Sequence, residues 1–263
     1  QCVTKNIGEY PNSGSIGLPD NSIRSIKVGS NVRARLCTEE NLSGSCDWYG
    51  ADNGDLNGSV VSYGTSSVKV ETKPATPGAP TLASPSNGST IIEGDAITLS
   101  WNSAANASEY YGEISGGPAL LFFDWQSGTS KYIGAQWPGY EYSWRVKARN
   151  GAGESPYSDT WKFKVIPKAP TNTSASALSC TSVKVTWADN SASEDGYKIY
   201  RGGTEVGSVG AGATSFTDGV SKQTSYTYTV KAHRNGFFSN AGSASVTTVS
   251  YTHLRAHETD SYL

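Results

Sequence analysis

Tyr142-Ser143-Trp144-Arg145-Val146 and Tyr226-Thr227-Tyr228-Thr229-Val230 decide how this chain folds. Each opens on a Tyr and then alternates. Each also follows a Trp at a similar distance, Trp101 in the first case and Trp187 in the second. Side chains along a strand point to alternate faces. Tyr142, Trp144, Val146 and Ala148 therefore share the inner face, and Arg145, Lys147 and Arg149 share the outer one. An early buried Trp followed by a late strand that opens on Tyr is the pattern of a small β-sandwich. Its recurrence predicts two copies of one module.

Outward from these strands the same plan repeats. Ile97, Leu99 and Trp101 alternate with Thr98 and Ser100. Trp161, Phe163 and Val165 alternate with Lys162 and Lys164. In the second copy Val183, Val185 and Trp187 lead to Tyr197 and Ile199, then to Tyr226, Tyr228, Val230 and Ala232. Two proline-rich joints divide the chain. Thr72-Lys73-Pro74-Ala75-Thr76-Pro77-Gly78-Ala79-Pro80 reads as an extended spacer, because proline fixes φ and lacks an N–H. Ile166-Pro167-Lys168-Ala169 is a shorter joint. The modules then run over residues 1–71, 81–165 and 170–249, with linkers at 72–80 and 166–169. The expected fold is all-β, three small Greek-key modules in a row.

Composition agrees. Gly, Ser, Thr and Tyr abound and Met is absent, which favours strands and turns. Charged residues are 17% of the chain and the net charge is −2, so nothing supports a nucleic-acid partner. No apolar run is long enough to span a membrane. Cys37 and Cys46 bracket a short loop that strand–turn–strand geometry would close as a disulfide, and the setting reads as oxidising, secreted or at the cell surface.

The modules over 81–165 and 170–249 resemble fibronectin type III domains. Ser225-Tyr226-Thr227-Tyr228-Thr229-Val230-Lys231-Ala232 before Asn235-Gly236 carries the likeness. So does Tyr142-Ser143-Trp144-Arg145-Val146-Lys147-Ala148-Arg149-Asn150-Gly151. The resemblance implies immunoglobulin-like sandwiches in which Tyr142 and Tyr226 are the tyrosine-corner residues. Similar bacterial copies pair a Cys on the second strand with one before the corner Tyr. Here Val220-Ser221-Lys222-Gln223-Thr224 has none, so Cys180 is expected to be a lone thiol.

Residues 1–71 read differently. Asp20-Asn21-Ser22-Ile23-Arg24-Ser25-Ile26-Lys27-Val28 is echoed by Tyr63-Gly64-Thr65-Ser66-Ser67-Val68-Lys69-Val70. The pair resembles a βγ-crystallin-type double Greek key whose first motif is truncated, leaving Cys2 without its expected partner. That resemblance implies a calcium loop, with Asp20, Asn21 and Ser66 as oxygen ligands suited to a hard cation. Arg24 stands where a hydroxyl ligand is expected and opposes a cation. No other cofactor is implied. Residues 250–263 break the strand style and read as a non-native tail resembling translated sequencing adapters, so His253 and His257, four apart, are set aside as metal ligands.

Chemistry elsewhere is sparse. His233 sits near a strand end with its side chain outward. Glu194-Asp195 and Asp52/Asp55 are carboxylate pairs that read as turn residues rather than as a glycosidase pair. No catalytic residue is assigned, and the chain is not expected to be an enzyme. Arg145, Lys147, Arg149, Lys162 and Lys164 form a basic stripe, suited to an acidic polymer or to pairing with Glu109 and Glu113. Phe122, Phe123, Trp125, Tyr132 and Trp137 lie outside the core pattern, and Ala119-Leu120-Leu121-Phe122-Phe123 reads as a sheltered apolar loop. Trp125 and Trp137 are the candidates for stacking on a glycan. The expected function is a non-catalytic spacer and adhesion segment of a secreted or surface bacterial protein, its partner an extracellular protein or polysaccharide. The alternative is a carbohydrate-binding accessory region of an extracellular hydrolase.

Overall fold

The computed structural model describes residues 2–250 apart from 58, 60, 62 and 63. His253, His257 and the start of the second loop echo, Ser62-Tyr63, lie outside them. Strands make up 51% of the chain and helix 3%, so the all-β expectation holds. Two compact units are present, one built on residues 1–76 and a second that begins at Pro77.

The first unit contains β1 (Gly8–Tyr10), a one-turn helix α1 (Ser13–Ile16), β2 (Val32–Cys37), β3 (Cys46–Tyr49) and β4 (Ser67–Thr72), in the sheet order β1-β4-β2-β3. Ile16, Leu36, Leu56, Val61, Val68 and Val70 form its core. The two echoed segments have different fates. Residues 67–70 fall in β4, whereas the earlier copy is irregular, held by a bridge between Ile26 and Asn53 and by the Leu56 N–H on the Arg24 carbonyl. Cys37 and Cys46 are direct cross-strand partners and form a disulfide, with Cα atoms 4.1 Å apart. Cys2 and Cys180 are free thiols.

The second unit holds two sandwiches. The first comprises β5 (Thr81–Ser84), β6 (Ser89–Ile92), β7 (Ile97–Asn102), β8 (Glu109–Ser115), β9 (Leu121–Gln126), β10 (Ser130–Gly134), β11 (Tyr140–Asn150), β12 (Gly153–Glu154) and β13 (Trp161–Ile166). One sheet runs β10-β7-β5 and the other β6-β13-β11-β8-β9, with β12 beside β11. The second sandwich comprises β14 (Thr171–Ser179), β15 (Ser182–Ala188), β16 (Gly196–Arg201), β17 (Thr204–Gly210), β18 (Ser215–Gly219), β19 (Ser225–Arg234), β20 (Phe237–Phe238) and β21 (Gly242–Thr247). Its sheets run β14-β15-β18 and β17-β16-β19, with β20 and β21 on β19. Apart from β6, which pairs parallel to β13 and has no counterpart in the second sandwich, the two share one strand order, a three-stranded sheet packed on a larger one.

Alternation places the cores as read. Tyr142, Trp144, Val146 and Ala148 are buried, as are Val183, Val185, Trp187, Tyr197, Ile199, Tyr228, Val230 and Ala232. Each large side chain so buried contributes about 1.5–3 kcal/mol. Both corner tyrosines bond backbone. The Tyr142 hydroxyl donates to the Trp137 carbonyl at 3.1 Å. The Tyr226 hydroxyl donates to the Ser221 carbonyl at 3.4 Å and accepts from the Ser221 N–H at 2.9 Å.

One local reading changes. Ala119-Leu120-Leu121-Phe122-Phe123 is not a sheltered loop, because Leu121 begins the edge strand β9. Phe123 is buried, its ring stacked on Trp101 at 5.2 Å. It occupies space that only a glycine opposite leaves free: a Cβ on its cross-strand partner Gly112 would come within 2.2 Å of the ring. Leu120 and Phe122 are exposed instead.

Candidate binding face and the joint between the sandwiches

The two sandwiches are joined by a carboxylate. Glu93, in the turn after β6, is buried. Its oxygens accept from the Ser191 hydroxyl at 2.5 Å, the Ser193 hydroxyl at 2.6 Å, and the Ala192 and Lys168 backbone N–H groups, each at 3.2 Å. Lys168 belongs to the linker, and residues 191–193 to the loop after β15. That loop is held from within, because Asp189 accepts both the Ser191 N–H and the Tyr197 hydroxyl. Burial works against the charge on Glu93, and the four donors more than offset it, holding its carboxyl below the usual range. A second contact closes the joint. Arg234 of β19 lies 5.6 Å from the centre of the Trp137 ring and donates to the Ser193 carbonyl. Gly139, at φ +81°, lets the chains approach, since a Cβ there would sit 2.8 Å from Arg234 Cγ.

Trp137 and Trp125 are therefore not a pair. Trp137 belongs to the joint. Trp125 stands on the outer face of the β9-β8-β11 layer, placed there by an irregularity in strand register. Phe123 pairs with Gly112 and Gln126 with Tyr110, so two residues of β9, Asp124 and Trp125, stand opposite Tyr111 alone. A bulge of this kind reverses the facing of the residues beyond it. Without it Trp125 would point inward like Phe123. Instead its ring lies 5.6 Å from that of Tyr111, with the Arg149 guanidinium 4.3 Å from its centre. Lys147 Nζ is 5.4 Å from the Tyr111 ring, 5.5 Å from Trp125 and 5.3 Å from Tyr157, and Arg145 covers Tyr157 at 4.0 Å.

Four of the five cations of the basic stripe are held in ion pairs. Arg145 bonds Glu113 and Arg149 bonds Glu109, both at 2.8 Å and both to the residue directly opposite on β8. Lys147 reaches Glu154 at 2.5 Å, and Lys162 reaches Glu141 at 2.8 Å. Nor are the five cations side by side. Lys162 and Lys164 pair in register with Ser143 and Glu141, at the other end of β11 from Arg145, Lys147 and Arg149. Glu113 also accepts the Tyr157 hydroxyl at 2.7 Å. Its carboxyl is held below the usual range by Tyr157 and Arg145, while burial and Glu113 push the Tyr157 hydroxyl up to about 12.

In the first unit the three implied calcium ligands do meet. Asp20 Oδ1 accepts the Ser66 hydroxyl at 2.7 Å and the Asn21 N–H at 3.1 Å. The Asn21 side-chain amide donates to Asp20 Oδ2 at 3.3 Å, and Arg24 donates to the Asn21 carbonyl at 3.0 Å. The loop closes on its own donors and holds a cation of its own, a poor fit to a divalent ion. Among the described residues no group of three or more His, Cys, Asp or Glu could hold a metal. The acid pairs serve as acceptors for backbone: Glu194 accepts the Gly212 N–H, Asp195 the Asn235 N–H and Asp52 the Val28 N–H, each tying its loop to a distant segment, while Asp55 accepts the Asn57 N–H within its own turn. His233 is half-buried at the end of β19, its ring 6.0 Å from that of Phe238.

No family model matches the chain. Over 161 residues it is 28% identical to Chitinase A1 of Niallia circulans, a match that covers 55% of this chain and 22% of the relative. Over 222 residues it is 29% identical to Exoglucanase B of Cellulomonas fimi, covering 73% of this chain and 19% of the relative. The chain spans about a fifth of the length of these curated relatives. Among solved structures it is similar to a two fibronectin type III domain segment of chicken tenascin, with 18% identity and a TM-score of 0.49, covering 66% of this chain and all of that one. The sandwich assignment rests on the strand order described above. No helix among the described residues is long and apolar enough to cross a membrane.

Proposed function

We propose that the two sandwiches of this chain form a rigid spacer within an extracellular, polysaccharide-acting bacterial enzyme, and that they set the distance and orientation of what they join. The observation that carries the reading is the Glu93 joint. A freely jointed pair of sandwiches has no use for a buried carboxylate with four donors drawn from the linker and the far module. Hydrogen bonds to a charged group contribute about 1.5–3 kcal/mol each and demand one geometry, so they restrict the angle between modules. The Cys37–Cys46 disulfide supports an oxidising compartment. The names of the curated relatives, two carbohydrate-acting enzymes, support the class of neighbour. The first unit is read as a crystallin-type module stabilised by its disulfide and the closed Asp20 loop rather than by calcium.

The purified chain tests the non-catalytic part of this reading. Incubated with chitin, cellulose and soluble derivatives of each, it releases no reducing sugar above a boiled control. Steady release, abolished by a single carboxylate substitution, contradicts the reading.

A further inference from the structure

We infer that the outer face of β9, β8 and β11 in the first sandwich docks an uncharged polysaccharide chain, with Trp125 and Phe122 as its ring contacts. This deepens the accessory-segment reading and rests on it.

Three observations converge. First, the bulge in β9 turns Trp125 out of the core. A Trp at that position would gain more by facing inward, and bulges serve to re-aim side chains at functional surfaces. Second, the surface extends beyond Trp125. Phe122, on the same face of the same strand, is 63% exposed, and Leu120 just before it is 67% exposed. Tyr111 and Tyr157 continue it across β8 and the segment beside β11. Third, the second sandwich is an internal control. Its strand at the same place in the sheet, β17, reads Thr204-Glu205-Val206-Gly207-Ser208-Val209-Gly210 and carries no ring. The shared strand order therefore does not require a ring on this edge strand, although Tyr200 of the neighbouring β16 does lie on the outer face, beside Lys231.

The charge pattern selects the ligand. Arg145, Lys147 and Arg149 are each matched by Glu113, Glu154 and Glu109. An acidic polymer would have to break these pairs. An uncharged chain of sugars would meet fixed donors and acceptors for its hydroxyls, with the exposed Phe122 ring and the half-buried Trp125 ring for its C–H faces, the combination typical of small-molecule recognition.

The test uses the full chain. Microcrystalline cellulose, chitin and an acidic polysaccharide serve as probes in co-sedimentation, at low and high salt. The inference predicts retention on at least one uncharged polymer, unchanged by salt. It predicts that Phe122→Ala and Trp125→Ala each weaken retention about fivefold or more, with Trp137→Ala as the unaffected control. Phe122→Ala removes an exposed ring, so its melting temperature should match wild type, and a folding defect cannot mimic its effect. Clean flow-through of the wild-type chain overturns the inference, as does retention that Phe122→Ala and Trp125→Ala leave intact. Binding only to the acidic polymer, lost in salt, also overturns it, as does binding only to a protein partner. Such failures leave the spacer reading standing, because that depends on the joint and is read by distance rather than by binding.

Discussion

The Ser193 hydroxyl of the second sandwich lies 2.6 Å from a carboxylate oxygen of Glu93 in the first. Glu93 is buried, and its other bonds come from the same loop and from the linker. A single side chain thus ties three segments together, which makes the joint unusually easy to break by one substitution.

The joint should respond to pH in one direction. Glu93 has a folded carboxyl pKa below its ordinary value. Its contribution is complete above the ordinary carboxylate range and is lost as pH falls through the lowered value. The charged side chains of Asp189 and Arg234 also lie at this joint, Asp189 within the Ser191 loop and Arg234 on the Ser193 carbonyl. Glu93→Gln should remove most of the dependence. Small-angle scattering between pH 7 and 3 would show the wild type loosening only at the acid end, and Glu93→Gln already loosened at pH 7. An identical profile for both proteins contradicts the assignment.

Gly112→Ala should destabilise the first sandwich by about 1–3 kcal/mol, the cost typical of overpacking. The added methyl would meet the Phe123 ring at 2.2 Å. Phe123→Ala should cost about 3–5 kcal/mol, as for other buried aromatic rings. The combined variant should be less destabilised than the two effects summed, because the methyl then enters vacated space. Strict additivity in chemical denaturation would argue against this contact.

Reduction of Cys37–Cys46, or its replacement by two serines, should lower the stability of the first unit by about 2–3 kcal/mol, as expected for so short a loop. The sandwiches should melt unchanged. Calorimetry that resolves the two units would report which transition moves.

Asp20→Ala removes the acceptor of a buried hydroxyl, that of Ser66. The expected cost is about 1–3 kcal/mol, the penalty of an unsatisfied group. The loss should be the same with and without millimolar Ca²⁺. A thermal shift on adding Ca²⁺ to wild type that Asp20→Ala abolishes would instead mark a calcium site.

Most of the framework was legible in alternation alone. Tyr142 to Ala148 and Tyr226 to Ala232 keep period two without interruption, and the corner tyrosines and the disulfide lie where strand pairing requires. The binding face was only partly legible. Trp125 drew attention as an aromatic outside the core pattern, but period two fails across a bulge. Phe123 therefore looked like a loop residue, and the opposite facings of Phe123 and Trp125 stayed hidden. The open position at Gly112 was the one local signal. The joint was not legible at all. Glu93-Gly94-Asp95 reads as an ordinary turn, and Ser191 and Ser193 lie nearly a hundred residues away, where no local pattern connects them. The basic stripe was half legible. Alternation puts Arg145, Lys147 and Arg149 on one face with Glu109 and Glu113 as partners on the next strand, as the register with β8 has it, but the placing of Lys162 and Lys164 toward the other end of β11 depends on register that alternation does not give.

The central claim is that the two sandwiches form one rigid spacer, and the most direct measurement is a distance distribution between them. Spin labels at Thr98 and Lys184, both exposed, would be introduced with Cys2 and Cys180 replaced by Ser and the Cys37–Cys46 disulfide retained. Pulsed dipolar spectroscopy on the full chain at pH 7 should give one narrow distance peak in the wild type and a broad distribution in Glu93→Ala. A broad distribution in the wild type, or an unchanged narrow peak in Glu93→Ala, would contradict the account.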